Sequence, residues 1–383
     1  MHFEFATATR IVWGAGKRVE ITPAAAAFGK RALVVTRGSD NATWLVEALR
    51  AQNVETRTLP AHGEPTVESI GSGVNAARAF DAQVVIAVGG GSVIDTGKAI
   101  AMLLTNGGEP LDYLEVVGRG QPVSKPSAPF IAVPTTAGTG SEVTRNAVLG
   151  SPKQRVKASL RSPYMLPHLA VIDPELTYAA PPRLTADAGL DALTQLIEPY
   201  TCNAPNALVD ALCADGIPRA ARALPRACEN GNDAAARADM SLAALYSGMA
   251  LANAKLGAVH GIAGPLGGML DAPHGALCAR LLPFVMETNL RALETRAPGA
   301  PQLARYAQVA RWLTGDAHAT AQDGIAHVRA LCAALHVAPL ARFGFDGALI
   351  PELVPQAQKA SSMKGNPLPL TETELRELLE QAR

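Results

Sequence analysis

Three groups of residues in this chain have the types and spacing to do chemistry on a small molecule. The first is Val88-Gly89-Gly90-Gly91-Ser92-Val93-Ile94-Asp95-Thr96-Gly97-Lys98. Consecutive glycines let a phosphate approach the backbone, and a helix opening behind them offers unpaired N–H groups and a positive dipole end. That is a pyrophosphate cradle. The spacing is not GxGxxG, however, and an ordinary strand-to-helix turn capped by Ser92 has the same composition. The second group is Pro134-Thr135-Thr136-Ala137-Gly138-Thr139-Gly140-Ser141-Glu142-Val143-Thr144, whose hydroxyls can bond the sugar and amide of a ligand or can simply cap a loop. The third is Asp191 with Gln195 four residues on, then His260 and His274. One carboxylate and two imidazoles make a divalent-metal set with the Gln195 amide oxygen as a weak fourth donor, although the two histidines are too far apart in sequence for a compact ligand motif.

These groups need elements to position them. Arg31–Thr36 and Ala82–Val88 are β-branched runs followed by turns and helical patterns, which predicts buried parallel strands with crossover helices. Two further runs, Phe130–Val133 and Leu169–Ile172, end at prolines and extend the same sheet. Both loops that follow strands therefore face the carboxyl edge of a doubly wound sheet, where ligands sit. From about Leu184 the β-branched runs give way to Ala/Leu-rich stretches of helical period, such as Ala234–Leu251 and Leu303–Leu313. The boundary falls between Leu176 and Leu184. This predicts an α/β domain over residues 1–180 and an all-helical domain over 181–383.

Composition narrows the function classes. The 383 residues carry 34 Lys+Arg against 34 Asp+Glu, so no net charge draws the chain to nucleic acid or to an anionic membrane. No apolar stretch has the length of a membrane span, and the N-terminus has no secretory pattern. The five cysteines are scattered and include no CxxC pair, which predicts a reducing, cytoplasmic setting.

Taken in order, these motifs resemble the iron-containing (group III) alcohol dehydrogenases, with dehydroquinate synthase as a more distant relative. The likeness spans most of the chain: TRIVWGAG from Thr9, GGGSVIDTGKA from Gly89, PTTAGTGSEVT from Pro134, SPYMLPHLAVIDPELT from Ser162, GLDALTQLIE from Gly189, and VHGIAGPLGG with PHG from Val259. The resemblance implies a Rossmann-like dinucleotide domain, a helical C-terminal domain and a catalytic cleft between them. It also implies NAD(P)(H)-dependent interconversion of an alcohol and a carbonyl compound, and a homodimer formed through a first strand near Phe3-Glu4-Phe5.

Residue by residue, the resemblance places Gly90, Gly91 and Ser92 on the cofactor pyrophosphate with Asp95 and Lys98 beside it, and Thr135, Thr136 and Thr139 along the nicotinamide. Asn146 and Lys157 match polar positions near the nicotinamide ribose, and Lys157 joins His260 and His274 as a catalytic candidate. Glu64 falls near the adenosine end. The family metal, iron or zinc, is implied at Asp191, Gln195, His260 and His274. Two positions depart from the pattern: the family's histidine is replaced at Gln195 by a neutral amide, a poorer donor, and a second histidine often found one turn after His260 is Gly264 here. After the strand ending at Thr36, NAD-specific relatives often carry an Asp, where this chain has Arg37-Gly38-Ser39. Arg37 and Ser39 can meet a 2′-phosphate, which favours NADP(H) or use of both cofactors, unless Arg37 is simply a solvated surface residue. The alternative function is a metal-independent, maleylacetate reductase-like reduction of an unsaturated oxo-acid, for which Arg145, Arg155 and Arg161 are the nearby cations.

Overall fold

The computed structural model describes residues 3–154, 156–270 and 272–383, with only the backbone of Ser39; Arg155 and the Ser39 side chain therefore lie outside the described residues. The chain divides into two compact units. Residues 6–136 and 140–178 form the first, while residues 179–383 form the second together with 137–139 and the described residues 3–5.

The first unit carries strands β1 (Arg10–Trp13), β2 (Arg31–Thr36), β3 (Glu55–Pro60), β4 (Val84–Gly89), β5 (Phe130–Pro134), β6 (Asn146–Ser151), β7 (Val156–Arg161) and β8 (Leu169–Ile172). Its helices are α1 (Ile21–Phe28), α2 (Thr43–Ala51), α3 (Val67–Ala79), α4 (Gly91–Asn106) and the single turn α5 (Pro110–Tyr113). Six strands make a parallel sheet in the order β1-β8-β5-β4-β2-β3. Every residue of β4 and β5 is buried, which is why their sequences read as unbroken apolar runs. Alternate side chains serve the two faces: Val34, Ile86, Ile131 and Val171 pack in one core, and Leu33, Val85, Phe130 and Ala132 in the other.

The connection from β2 goes outward to β3, whereas β4 and β5 lie on its other side, so the strand order reverses between β2 and β4. Three features differ from the sequence reading, the first being the edge strand β3, whose polar sequence ETRTLP it did not name as a strand. β6 and β7 form an antiparallel hairpin that the sequence analysis did not foresee, because their polar alternation (NAVLGS, VKASLR) lacks the apolar run of a sheet-core strand. The first strand is Arg10–Trp13, while Phe3–Phe5 are not a strand and belong to the helical unit.

The second unit is all helical: α6 (Pro182–Thr201), α7 (Ala207–Glu229), α8 (Ala234–Asn253), α9 (Ala258–Met269), α10 (His274–Arg296), α11 (Pro301–Thr314), α12 (Ala321–Ala334), α13 (Ile350–Lys359) and α14 (Glu372–Ala382). Several starts are set by short polar side chains bonding first-turn N–H groups, as at Asn206, Asp233, Thr320 and Thr371. Helix α6 is buried along most of its length because α7, α8 and α10 pack around it. A polar residue on α6 is therefore a core residue and must be bonded or functional. Among the described residues, no single helix is long and apolar enough to cross a membrane.

Candidate active site

In the sheet unit, Gly90 is the N-cap of α4, and among the described residues no side chain caps that end. The register pairs Thr36 of β2 with Val88 of β4, and Gly89 with Pro134 of β5. Arg37, the Gly90–Ser92 turn and Thr135 thus leave neighbouring strands at one edge, at the point where the strand order reverses. Arg37 is exposed there. A Cβ on Gly90 would stand 3.4 Å from Thr136 Oγ1, so the glycine turn and the hydroxyl loop line one space. An uncapped helix N-terminus beside glycines is suited to an anion.

Asp95 and Lys98, expected beside the pyrophosphate, are committed elsewhere. Lys98, buried on α4, donates to the Ser141 carbonyl at 2.8 Å, the Asn146 carbonyl at 2.7 Å, Thr144 Oγ1 at 2.9 Å and Ser141 Oγ at 3.0 Å. Asp95 accepts from Ser141 Oγ and, at 2.9 Å, from the Val148 N–H. The pair therefore tethers the hydroxyl loop and β6 to α4. Burial pushes Lys98 down to about 8 against the pull of Asp95 and Glu142, and pushes the buried Glu142 up to about 7. Asn146 opens β6, and Lys157 on β7 lies 3.7 Å from Glu64 Oε2.

In the helical unit, α6, α9 and α10 bring Asp191, His260, His274 and Cys278 together, with one ligating atom of each within 4.8 Å of all the others. Asp191 Oδ1 lies 3.5 Å from His260 Nε2 and 3.9 Å from His274 Nε2. His274 Nε2 is 3.5 Å from Cys278 Sγ, one helical turn along α10.

Behind them stands Glu198, also on α6. It accepts from the Val259 N–H at 2.7 Å and lies 2.6 Å from His260 Nδ1. With Nδ1–H donated to Glu198, the neutral imidazole turns its Nε2 lone pair towards the Asp191 carboxylate. Both Asp191 Oδ1 and His260 Nε2 are buried without a hydrogen-bond partner, and so is Gln195 Oε1. Facing lone pairs at 3.5 Å repel unless a cation or a proton lies between them. The protonation balance points the same way. Burial opposes the charged forms of Asp191 and His260; contacts with His260 and His274 nevertheless hold Asp191 below its ordinary value, and Cys278, Asp191 and Glu198 hold His260 well above its own, so that without a metal a proton is drawn into the gap between them. The sulfur of Cys278, with Asp191, lifts His274 to about 9. These buried, otherwise unsatisfied donors fit a divalent cation.

Thr139 donates to Asp191 Oδ2 at 3.2 Å, and its carbonyl accepts from Gln195 Nε2 at 3.1 Å. Gln195 Nε2 also donates to Ser247 Oγ at 3.2 Å. A carbonyl can only accept, so this contact fixes the amide orientation and leaves Oε1 as the free end. Two motif glycines are there for packing. A Cβ on Gly138 would meet Ala188 Cβ at 2.9 Å, and one on Gly275 would meet the Asp187 carbonyl at 2.5 Å. The sequence reading missed Glu198 and Cys278; their signals were the α6 spacing 191, 195, 198 and the spacing of 274 and 278.

Residues 8–174 match the family described as iron-containing alcohol dehydrogenase, and residues 185–383 match the C-terminal part of the Fe-containing alcohol dehydrogenase family. The chain belongs to the iron-containing alcohol dehydrogenases. Alcohol dehydrogenase 4 of Schizosaccharomyces pombe is 34% identical over 92% of this chain and 82% of its own length. The crystal structure of a 1,3-propanediol oxidoreductase covers all of both chains at 30% identity with a TM-score of 0.92. That of sulfoacetaldehyde reductase from Bifidobacterium kashiwanohense, in complex with NAD+, covers 100% of this chain and 99% of its own at 26% identity and a TM-score of 0.87. Membership in this alcohol dehydrogenase family makes the protein an oxidoreductase acting on a small alcohol or aldehyde, built as a parallel-sheet α/β domain and a helical domain.

Proposed function

We propose that this protein interconverts an alcohol and an aldehyde or ketone using NAD(P)(H), with a divalent cation held by Asp191, His260 and His274. The observation that carries this reading is the buried, unpartnered pair of Asp191 Oδ1 and His260 Nε2 at 3.5 Å. When bound, the nicotinamide would exchange the hydride with the substrate carbon and the cation would polarise the substrate oxygen. The chain's own residues prepare for this. Glu198 holds the Nδ1 proton of His260, Thr139 orients Asp191, and the uncapped N-terminus of α4 at Gly90–Ser92 receives the pyrophosphate. Gly264, where a Cβ would meet nothing within 4 Å, leaves open space one turn from His260. The metal-independent oxo-acid alternative is not favoured, because Asp191 and both histidines are retained and face one another.

The deciding experiment follows oxidation of NADH and NADPH by a panel of carbonyl compounds, with and without a chelator. Turnover that is lost on chelation and restored by a divalent metal is expected. A panel in which no carbonyl compound oxidises either cofactor overturns the proposal. Arg37, exposed beyond β2, makes NADPH the better cofactor. Arg37→Ala should lower kcat/KM for NADPH about tenfold or more while sparing NADH, in line with the loss of a charged hydrogen-bonded contact. A homodimer and a cytoplasmic setting belong to the same proposal. Among the described residues, β1 pairs on one side only, with β8, and carries the exposed Trp13, which offers an edge for a second copy.

A further inference from the structure

We propose that Cys278 is a metal ligand whose thiolate completes a donor set with Asp191, His260 and His274 that selects zinc over iron. This rests on the metal reading above and adds a fourth donor to it. Cys278 is fully buried, so its sulfur has no solvent role. Its position one helical turn along α10, four residues from His274, puts both ligand atoms on one helix face. A tetrahedral centre with a metal–sulfur bond of about 2.3 Å and a metal–nitrogen bond of about 2.05 Å separates the two donors by about 3.6 Å. Cys278 Sγ and His274 Nε2 are 3.5 Å apart. The same geometry sets oxygen and nitrogen donors about 3.4 Å apart, against 3.5 Å between Asp191 Oδ1 and His260 Nε2.

A plain Cys278–His274 hydrogen bond explains one contact but leaves Asp191 Oδ1 and His260 Nε2 without partners. A cation shared by all four atoms satisfies every one of them. Gln195 is the weaker donor for the remaining position because its amide oxygen is neutral, although the bonds of its Nε2 to Thr139 and Ser247 leave that oxygen buried and unpartnered. Exchanging an imidazole for an amide at 195 while a thiolate stands at 278 makes the donor set softer, and soft donors favour zinc over iron(II). On binding, the S–H bond breaks, the metal–sulfur bond forms and the proton leaves to solvent.

The test uses the full-length protein stripped of metal and titrated with cobalt(II), then with zinc and iron(II) in competition. Expected are a thiolate-to-cobalt charge-transfer band in the near ultraviolet and a preference for zinc. Cys278→Ser should lose the band while keeping the visible cobalt bands, with zinc affinity at least about tenfold lower. The other four cysteines remain in that variant as internal controls. Cobalt bound to the wild type without a charge-transfer band overturns the assignment of Cys278 and leaves the three-ligand reading standing. Retention of no cobalt, zinc or iron overturns both.

Discussion

His260 sits between two carboxylates, and their jobs differ. Glu198 fixes its proton on Nδ1, whereas Asp191 faces the bare Nε2. Replacing Glu198 by Gln leaves an acceptor on one side only, so the ring loses its fixed tautomer and the Val259 N–H competes for the single oxygen. Glu198→Gln should lower metal affinity about 10- to 100-fold and reduce kcat with it. Metal content by elemental analysis and steady-state kinetics check this; an unchanged metal content removes Glu198 from the role. At this scale the sequence already held Asp191, His260 and His274, because carboxylate and imidazole side chains announce metal chemistry by type. It did not expose Glu198 or Cys278, since a buried glutamate and a lone cysteine have common structural uses and only their neighbours decide between them.

The elements act as rulers for these atoms. Helix α10 approaches α6 closely only because residue 275 has no Cβ. Gly275→Ala would press a methyl against the Asp187 carbonyl and should cost about 1–3 kcal/mol in urea unfolding while weakening metal binding through the displaced His274. On α4, Lys98 carries a buried load of another kind. Lys98→Met would remove four hydrogen bonds to the 141–146 segment and leave Asp95 and Glu142 buried without their cation. A loss of about 3–5 kcal/mol is expected, measured by denaturant unfolding, as for other broken buried ion pairs. The helical period and the apolar strand runs were legible because each is a local pattern. The β6–β7 hairpin was not, since its two faces alternate without a continuous apolar run and it is held by Lys98 and Asp95 from another element.

For the whole molecule, the two units should respond to different ligands. Zinc should slow amide hydrogen exchange in α6, α9 and α10, whereas NADPH should slow it at the start of α4 and the end of β2, because each ligand stabilises the unit that binds it. Protection by zinc centred on α4 would contradict the assignment. Stability should also depend on pH through Glu142. Burial raises this carboxyl from 4.5 to about 7, so the folded chain holds the proton more tightly than the unfolded one. Its contribution is full below pH 4.5 and is lost as pH rises through about 7, a change on the order of 3 kcal/mol. Glu142→Gln should flatten that part of a stability–pH profile, read from denaturant midpoints at fixed salt.

The amino-acid order by itself determined the succession of sheet and helical domains, the glycine turn after β4 and the kinds of ligand atom available, because each follows from local spacing and side-chain chemistry. Tertiary packing decided which of those atoms meet. Asp191 lies on α6, far in sequence from the consecutive helices α9 and α10 that carry His260 and Cys278, and only the packing of α10 against α6 and α9 brings their ligating atoms within reach of one ion. In the sheet unit, packing spent Asp95 and Lys98 on holding the 141–148 segment, a use that their place in a glycine-rich motif did not reveal.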